Sequence, residues 1–279
     1  MFQVIKVLNN NGILALNKED KKEIIFIGKG IGFQFKKDEI FSNIEDAKRY
    51  GLQEDSEKGS SINIINSVDP IFLDITHEII LVAEKKFGKV DNNILIPLAD
   101  HIAFSIERIK NNMLVSNPFA LDIKALFEEE YEVALKGKAI IKEMTGYDIN
   151  DDEVGYITLH IHSALSEERV SQSMRVAIIV RETIEKIENE FNIKIDINSL
   201  SYNRLMSHIK YMVARVMKGE VLNLDMSPYM KKEFPYSYQV AEDVCKQLSK
   251  EFRKEFSDVE VGYLAIHIER VRNLEQKEE

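Results

Sequence analysis

The residues of this chain that could do chemistry are its histidines, because four of the six fall into two pairs of equal spacing. His101 and His160 lie 59 residues apart, and so do His208 and His267. An imidazole can ligate a metal, accept a phosphoryl group or lie in a core with its nitrogens satisfied. The spacing therefore indicates a repeated structure whose chemistry has to be decided by other residues.

An internal repeat surrounds the paired histidines. An offset of 107 residues aligns 153–161 with 260–268 without a gap, and carries 131–134 onto 238–241 and Arg108 onto Arg215. Such self-similarity is typical of a duplicated module. A duplication preserves core residues as readily as functional ones, so it does not choose among the three kinds of chemistry.

Each of the three interpretations has its own support. A histidine within the apolar helical stretch 155–161 is often a core residue. Metal binding would use His160 with His162, but an i, i+2 pair on a helix points to roughly opposite sides, and no cysteine accompanies it. Phosphoryl acceptance needs a reachable ring beside charged groups, which Asp100 and Arg108 could supply.

The sequence gives little support for an enzyme. It contains no phosphate-binding loop of the P-loop kind and no Gly-x-Ser-x-Gly elbow, and the glycines of 28–32 are too few and too early for a dinucleotide fingerprint. We expect no catalytic activity, no cofactor and no bound metal.

Composition favours a cytoplasmic protein of several domains. The chain has 279 residues and one cysteine, and it begins without a signal peptide. It has no apolar run of the roughly 18–20 residues that a membrane helix needs. The net charge of −10 is unevenly distributed, because residues 1–37 have seven lysines against three acidic residues. This segment carries a net charge of +4 and the rest of the chain −14, so a polyanion should bind to the N-terminal segment.

Two kinds of secondary structure follow one another. Residues 2–8, 12–16, 22–27 and 30–35 are predicted strands of a small sheet, which should dimerise through one face because it buries little core alone. Residues 54–61 read as a polar linker. Helical periodicity then predicts helices at 73–87, 98–110, 131–145, 171–191, 201–217 and 238–254.

These motifs together resemble the BglG/LicT-type transcriptional antiterminators, and in particular their GlcT branch. The resemblance covers essentially the whole chain. The family resemblance rests on 6–11 (KVLNNN), 28–33 (GKGIGF), 100–104 (DHIAF) and 155–162 (GYITLHIH). The similarity to the GlcT branch rests on the stretch 101–119, followed by 159–165.

The resemblance implies a multidomain fold: a small antiparallel β RNA-binding domain followed by two all-α helical bundles, the PTS regulation domains (PRDs). The corresponding ranges are 1–58 with the linker, 67–172 and 173–279. It also implies phosphorylation at His101, His160, His208 and His267. His77 and His162 match no acceptor position and keep a structural interpretation.

The resemblance further implies that the N-terminal domain binds an RNA hairpin in the leader of a sugar-permease transcript, and the GlcT branch implies glucose as the sugar. The RNA-binding residues that it implies are Lys6, Asn10, Asn11, Gly28, Lys29, Gly30 and Phe33. Lys29 stands where many relatives have arginine and lacks the planar guanidinium fork. Asn10 and Asn11 could instead serve turn geometry, and Phe33 could belong to the sheet core.

The implied partners are HPr, the EIIB domain of a sugar-specific permease, and a second copy of the chain. In the family, the permease phosphorylates the first PRD when sugar is absent and inactivates the protein, whereas HPr can activate through the second PRD. The alternative is a PRD-bearing, DNA-binding activator. Such activators begin with a helix-turn-helix domain, against which the strand-like first 35 residues argue.

Overall fold

The structure is a computed structural model that describes residues 1–51, 65, 67–113, 115–166, 169–197 and 199–275. The predicted linker at 54–61 lies outside these residues. The chain divides into two compact units. The first contains Met1–Ala120 and Phe127–Ser173, and the second contains Leu121–Leu126 and Met174–Glu279.

The N-terminal part of the first unit, called the head here (residues 1–51), is a five-stranded antiparallel sheet of order β4-β1-β2-β3-β5. Three of its strands were predicted, and the two short ones were not. The strands are β1 (Phe2–Val7), β2 (Gly12–Asn17), β3 (Glu23–Ile27), β4 (Ile40–Phe41) and β5 (Lys48–Gly51).

The strand predicted at 30–35 is wrong, because Ile31–Gln34 forms one helical turn, α1. Gly30 enters it with φ +73°, a left-handed conformation that interrupts an extended chain. Ile31 of this turn is 1% exposed and packs into the core of the head. The glycine-rich stretch 28–32 therefore interrupts the extended conformation that the sequence pattern predicted.

Both faces of the sheet are covered. One face, with Phe2, Val4, Ile13 and Phe26, forms the core of the head itself. The other face, which includes Leu14, Ile25 and Tyr50, joins a single apolar cluster with the helices of the first unit. Alternation along β2 and β3 explains this division, since successive side chains point to opposite faces.

The first repeat is helical, as predicted. Its helices are α2 (Ile71–Phe87), α3 (Leu95–Lys110), α5 (Glu128–Thr145) and α6 (Asp151–Leu165). Helix α2 packs against α3 and α5, and α6 packs against α5 and α3. A 3₁₀ turn, Asn92–Ile94, leads into α3.

The second unit contains α4 (Ala120–Leu126), most of α7 (Val170–Phe191), α8 (Leu200–Lys218), α9 (Ser227–Glu233), α10 (Pro235–Phe252) and α11 (Asp258–Glu275). Helix α11 packs against α8, α9 and α10. Although α4 precedes the rest of this unit by some fifty residues, its buried Asp122 accepts a hydrogen bond from the buried Tyr202 hydroxyl. The Lys210 ammonium donates to the Leu126 carbonyl at 2.8 Å.

The predicted fold class, a small antiparallel β domain followed by helical repeats, is confirmed. Among the described residues, no helix combines the length and the apolar composition that crossing a membrane would require.

Candidate functional site

Two helix faces build the first histidine site. Helix α3 contributes residues at i, i+4 and i+7, and α6 contributes residues at i, i+3 and i+7, which in each case lie on one face of a helix. They are His101, Ser105 and Arg108 on α3, and Glu153, Tyr156 and His160 on α6.

Glu153 is the centre of this first site. It lies in the first turn of α6, where the Asn150 side chain caps the helix by accepting from the Glu153 backbone N–H at 3.0 Å. The Ser105 hydroxyl donates to Glu153 Oε2 at 2.7 Å, and Arg108 Nη2 donates to Oε1 at 2.5 Å. His101 Nε2 lies 3.2 Å from Oε2, but it is not aligned for a hydrogen bond.

The contacts decide the charge of Glu153. Burial alone would raise the pKa of this carboxyl, but the contacts with His101, Ser105 and Arg108 outweigh burial and hold the pKa at about 2. The site therefore contains a permanent carboxylate against the inner nitrogen of His101.

His160 completes the first pair. Its ring centroid is 5.2 Å from that of His101, and the Tyr156 ring centroid is 5.7 Å from that of His101. His160 also lines a cavity of about 400 Å³, together with Ser163, Ser166 and Arg169 and with residues of the Asp91–Pro97 segment. The cavity gives a ligand or a partner's side chain space beside His160.

The second unit repeats the arrangement on α8 and α11. The rings of His208 and His267 are stacked at 4.1 Å with an interplanar angle of 23°, and Tyr263 lies parallel to His208 at 6.2 Å. Arg215 donates to both oxygens of Glu260, from Nε at 3.0 Å and from Nη2 at 2.8 Å.

His208 differs from its counterpart in its charge environment. Its Nε2 is buried without a hydrogen-bond partner. Burial, then the neighbouring His267 ring and the Arg215 charge, lower the pKa of His208 to about 3. Burial first, and then the Arg270 charge, lower the pKa of His267. The second pair is therefore held in the neutral form.

The metal interpretation gains no support from the geometry. In the part of the chain that the structure describes, no three His, Cys, Asp or Glu side chains are grouped to hold an ion. His162 instead pairs with Glu130 at 2.9 Å, and His77 shares a 2.6 Å hydrogen bond with the Tyr50 hydroxyl. Both therefore keep the structural interpretation that the sequence gave them.

In the head, the two loops with predicted RNA-binding residues lie together. The Gly28 N–H donates to the Asn11 carbonyl, and the Gly32 N–H donates to the Asn10 carbonyl, each at 2.9 Å. A Cβ on Gly32 would stand 1.9 Å from the Asn9 carbonyl oxygen, so only glycine permits this approach. The β1–β2 loop and the 28–33 segment form one surface.

Several predicted RNA-binding side chains are displayed on the head. Asn10, Lys29 and Phe33 are exposed in the joined loops, and Lys6 is exposed on β1 opposite Leu14 of β2. Phe33 is 76% exposed, so the sheet-core interpretation of this residue is wrong. The buried Gly28 and the left-handed Gly30 shape the backbone that carries them.

Asn11 is placed differently from Asn10. Its Oδ1 accepts from the Gly30 N–H at 3.0 Å, and its Nδ2 donates to Asp74 of α2 at 3.3 Å. The turn interpretation thus holds for the Asn11 side chain, which braces the two loops.

Sequence reasoning missed Glu153, Ser105 and Asp74. A signal for Glu153 was present, since it and Glu260 open the repeated nine-residue motif, and a buried acid conserved through a duplication points to a partner. Ser105 has no counterpart in the second repeat, where Met212 stands. No pattern linked Asp74 to the head.

Two comparisons settle the family. A family described as "CAT RNA binding domain" matches residues 2–59, and one described as "PRD domain" matches residues 77–164 and 181–271. The chain belongs to the BglG/LicT-type antiterminators, in their GlcT branch. The CAT match contains the joined loops of the head, and the PRD matches contain one histidine pair each.

Curated relatives and one solved structure agree with this assignment. "Protein GlcT" of Staphylococcus saprophyticus is 30% identical over 96% of this chain and 96% of its own length. The "GlcA/glcB genes antiterminator" of Staphylococcus carnosus is 28% identical over 96% of this chain and 94% of its own. A structure titled "Crystal structure of GlcT CAT-PRDI" has 35% identity and a TM-score of 0.50, covering 59% of this chain and 98% of that one.

Proposed function

We propose that this antiterminator acts in the cytoplasm as a homodimer. Its CAT domain binds an RNA hairpin in the leader of a glucose-permease transcript and thereby prevents the terminator from forming. Phosphorylation of the PRD histidines by HPr and by the EIIB domain of the permease sets its activity. The name of the Staphylococcus carnosus relative, which refers to glcA and glcB, supports glucose. The functional domains are 1–58, 67–172 and 173–279.

The single observation that supports RNA binding best is the joining of the β1–β2 loop to the 28–33 segment. Exposed Lys29 supplies charge for a phosphate, Asn10 supplies an amide for a base edge, and Phe33 supplies a flat ring on which an unpaired base can stack. Lys6 adds charge on β1. Recognition of single-stranded loops by stacking is typical of sequence-specific RNA binding.

The electrophoretic mobility of a leader hairpin RNA and of duplex DNA of the same sequence tests this part of the proposal with the full chain. We expect a shift of the RNA at protein concentrations that leave the DNA unshifted. Preferential binding of the duplex DNA would instead support a DNA-binding activator.

Phosphoryl transfer to His101 would use Nδ1. Nε2 is buried against Glu153, which leaves Nδ1 as the ring nitrogen that can meet a donor. With the ring proton on Nε2 facing the carboxylate, the Nδ1 lone pair attacks the phosphorus of the donor. The new N–P bond forms as the bond from phosphorus to the donor breaks, and the donor leaves with that electron pair.

The same atom is the acceptor at His208, whose Nε2 is also buried. For His160 and His267 the proposal rests on their place in each pair, and for His160 also on the adjoining cavity. A phosphoryl group adds close to two negative charges, so it changes how each PRD pairs with another charged surface.

In vitro phosphorylation with enzyme I, HPr and the permease, followed by mapping of the label and ³¹P NMR of the modified protein, tests both points. We expect label on the four paired histidines and the resonance of Nδ1-phosphohistidine at His101. Label on His77 or His162, or an Nε2 isomer at His101, would contradict the assignment.

A further inference from the structure

The carboxylate of Asp74 connects the first PRD to the head. Asp74 lies in the first turn of α2, and its Oδ2 accepts from Asn9 Nδ2 at 2.9 Å and from Asn11 Nδ2 at 3.3 Å. Asn9 Nδ2 also lies 3.4 Å from the Pro70 carbonyl at the start of the same helix. One carboxylate oxygen thus accepts from two of the three asparagines of the β1–β2 loop, Asn9 and Asn11.

The same two asparagines hold the RNA-binding loops in place. Asn9 Oδ1 accepts from the Asn11 N–H at 2.9 Å, and Asn11 Oδ1 accepts from the Gly30 N–H at 3.0 Å. The Asn11 amide is therefore fixed at both ends, by Gly30 through its oxygen and by Asp74 through its nitrogen. If Asp74 moved, the Asn11 side chain would lose one of the two hydrogen bonds that fix its rotamer between the two loops.

Docking on α2 leaves the outer surface of the loops uncovered. Asn10, Lys29 and Phe33 are exposed while Asn9 and Asn11 contact Asp74. The carboxylate lies on the inner side of the loops and is itself half-buried. Asp74 therefore stabilises the loops without blocking them. An inhibitory contact would instead cover the exposed side chains of Asn10, Lys29 and Phe33.

Helix α2 also lies beside the helix that carries the first paired histidine. It packs against α3, the helix that carries His101, and both belong to the first unit.

We propose, on the basis of the proposed RNA-binding function, that Asp74 is a positioning residue for RNA recognition. Through Asn9 and Asn11 it holds the β1–β2 loop and the 28–33 segment in the arrangement that binds the hairpin. Asp74 itself does not touch RNA.

The test measures the affinity of full-length Asp74→Ala for a hairpin RNA transcribed from the glucose-permease leader, by fluorescence anisotropy over a range of salt concentrations. We expect roughly tenfold weaker binding. Without Asp74 the β1–β2 loop is no longer fixed before the RNA binds, so part of the binding free energy is used to order it. The slope of log Kd against log salt should match that of the unaltered protein, since no phosphate contact is lost.

A matched control is Glu84→Gln, which removes the ion pair between Glu84 and Lys48 at the same contact of α2 with the head. Its RNA affinity should stay within about twofold of the unaltered protein, since this pair joins α2 to β5 and not to the loops. An equal loss in Glu84→Gln and Asp74→Ala would show that general docking matters, and would overturn the specific role of Asp74.

A reciprocal exchange keeps the proposal testable if Asp74→Ala folds poorly. Asn11→Asp places two carboxylates opposite each other and should weaken RNA binding, and adding Asp74→Asn should recover part of the loss. Failure of that recovery, or tighter binding by Asp74→Ala, would overturn the proposal. If the unaltered protein does not bind the RNA, the proposed function itself fails.

Discussion

The two histidine sites have the same residue types at five of six equivalent positions and differ at the sixth, where Ser105 of the first corresponds to Met212 of the second. In the first site, Glu153 is shared among His101, Ser105 and Arg108. In the second, both oxygens of Glu260 go to Arg215.

The difference shows that a duplicated set of residues does not fix a duplicated electrostatic environment. His101 faces a carboxylate at 3.2 Å, whose charge would offset the positive charge of the ring if a phosphoryl group were attached. His208 is packed against His267, and among the described residues no carboxylate is found in contact with it. The two sites therefore place equivalent histidines in different electrostatic surroundings, His101 beside a carboxylate and His208 beside the ring of His267.

The largest expected difference between the sites lies in the rate of phosphorylation. Glu153→Gln should slow the labelling of His101 roughly 100-fold, because the carboxylate that offsets the positive charge developing on the ring is replaced by a neutral amide. Glu260→Gln, its matched control, should slow His208 by less than about threefold. Time courses of label with phosphorylated HPr or permease measure both rates, and equal slowing in the two variants would show that the contrast has no chemical consequence.

A smaller difference should appear in the pH dependence of stability. The pKa of His208 falls from its ordinary 6.5 in the unfolded chain to about 3 in the folded one, so the unfolded state binds the extra proton between these values. The contribution of His208 to the free energy of unfolding is therefore fully present above pH 6.5 and is lost as the pH falls below 6.5.

Between pH 7.5 and 5 the loss from His208 should amount to about 2 kcal/mol. His208→Gln should remove it from the free energy of unfolding measured in urea. Asn203→Gln, at an exposed position of the same helix, should leave the pH dependence unchanged. An unaltered pH dependence in His208→Gln would mean that this ring is protonated as easily in the folded state as in the unfolded one.

The smallest effect concerns the residue that distinguishes the sites. Ser105→Ala removes one hydrogen bond to Glu153 and should lower the free energy of unfolding by about 1 kcal/mol. The double variant Ser105→Ala, Glu153→Ala should lose little more than Glu153→Ala alone, since both changes remove the same contact. Full additivity of the two losses in the free energy of unfolding would show that Ser105 and the Glu153 carboxylate stabilise the protein independently.

The sequence predicted most of the helices and three strands, because their periodicity is local. It did not predict the helical turn at 31–34, whose conformation depends on Gly32 approaching the Asn9 carbonyl of another loop. The paired histidines were evident from spacing, but the role of Glu153 was not, since it depends on α3 and α6 facing each other. Asp74 and Asn11 are 63 residues apart, and only the packing of the head on α2 brings them together.

Helix α4 has a consequence for the behaviour of the chain under proteolysis. Residues 121–126 belong to the second unit, whereas the stretches before and after them belong to the first. A protease that cuts once near residue 173 would leave residues 174–279 attached without a covalent bond, through Tyr202 on Asp122 and Lys210 on Leu126. The nicked protein should therefore migrate as one species in a native gel and separate into two fragments only after denaturation.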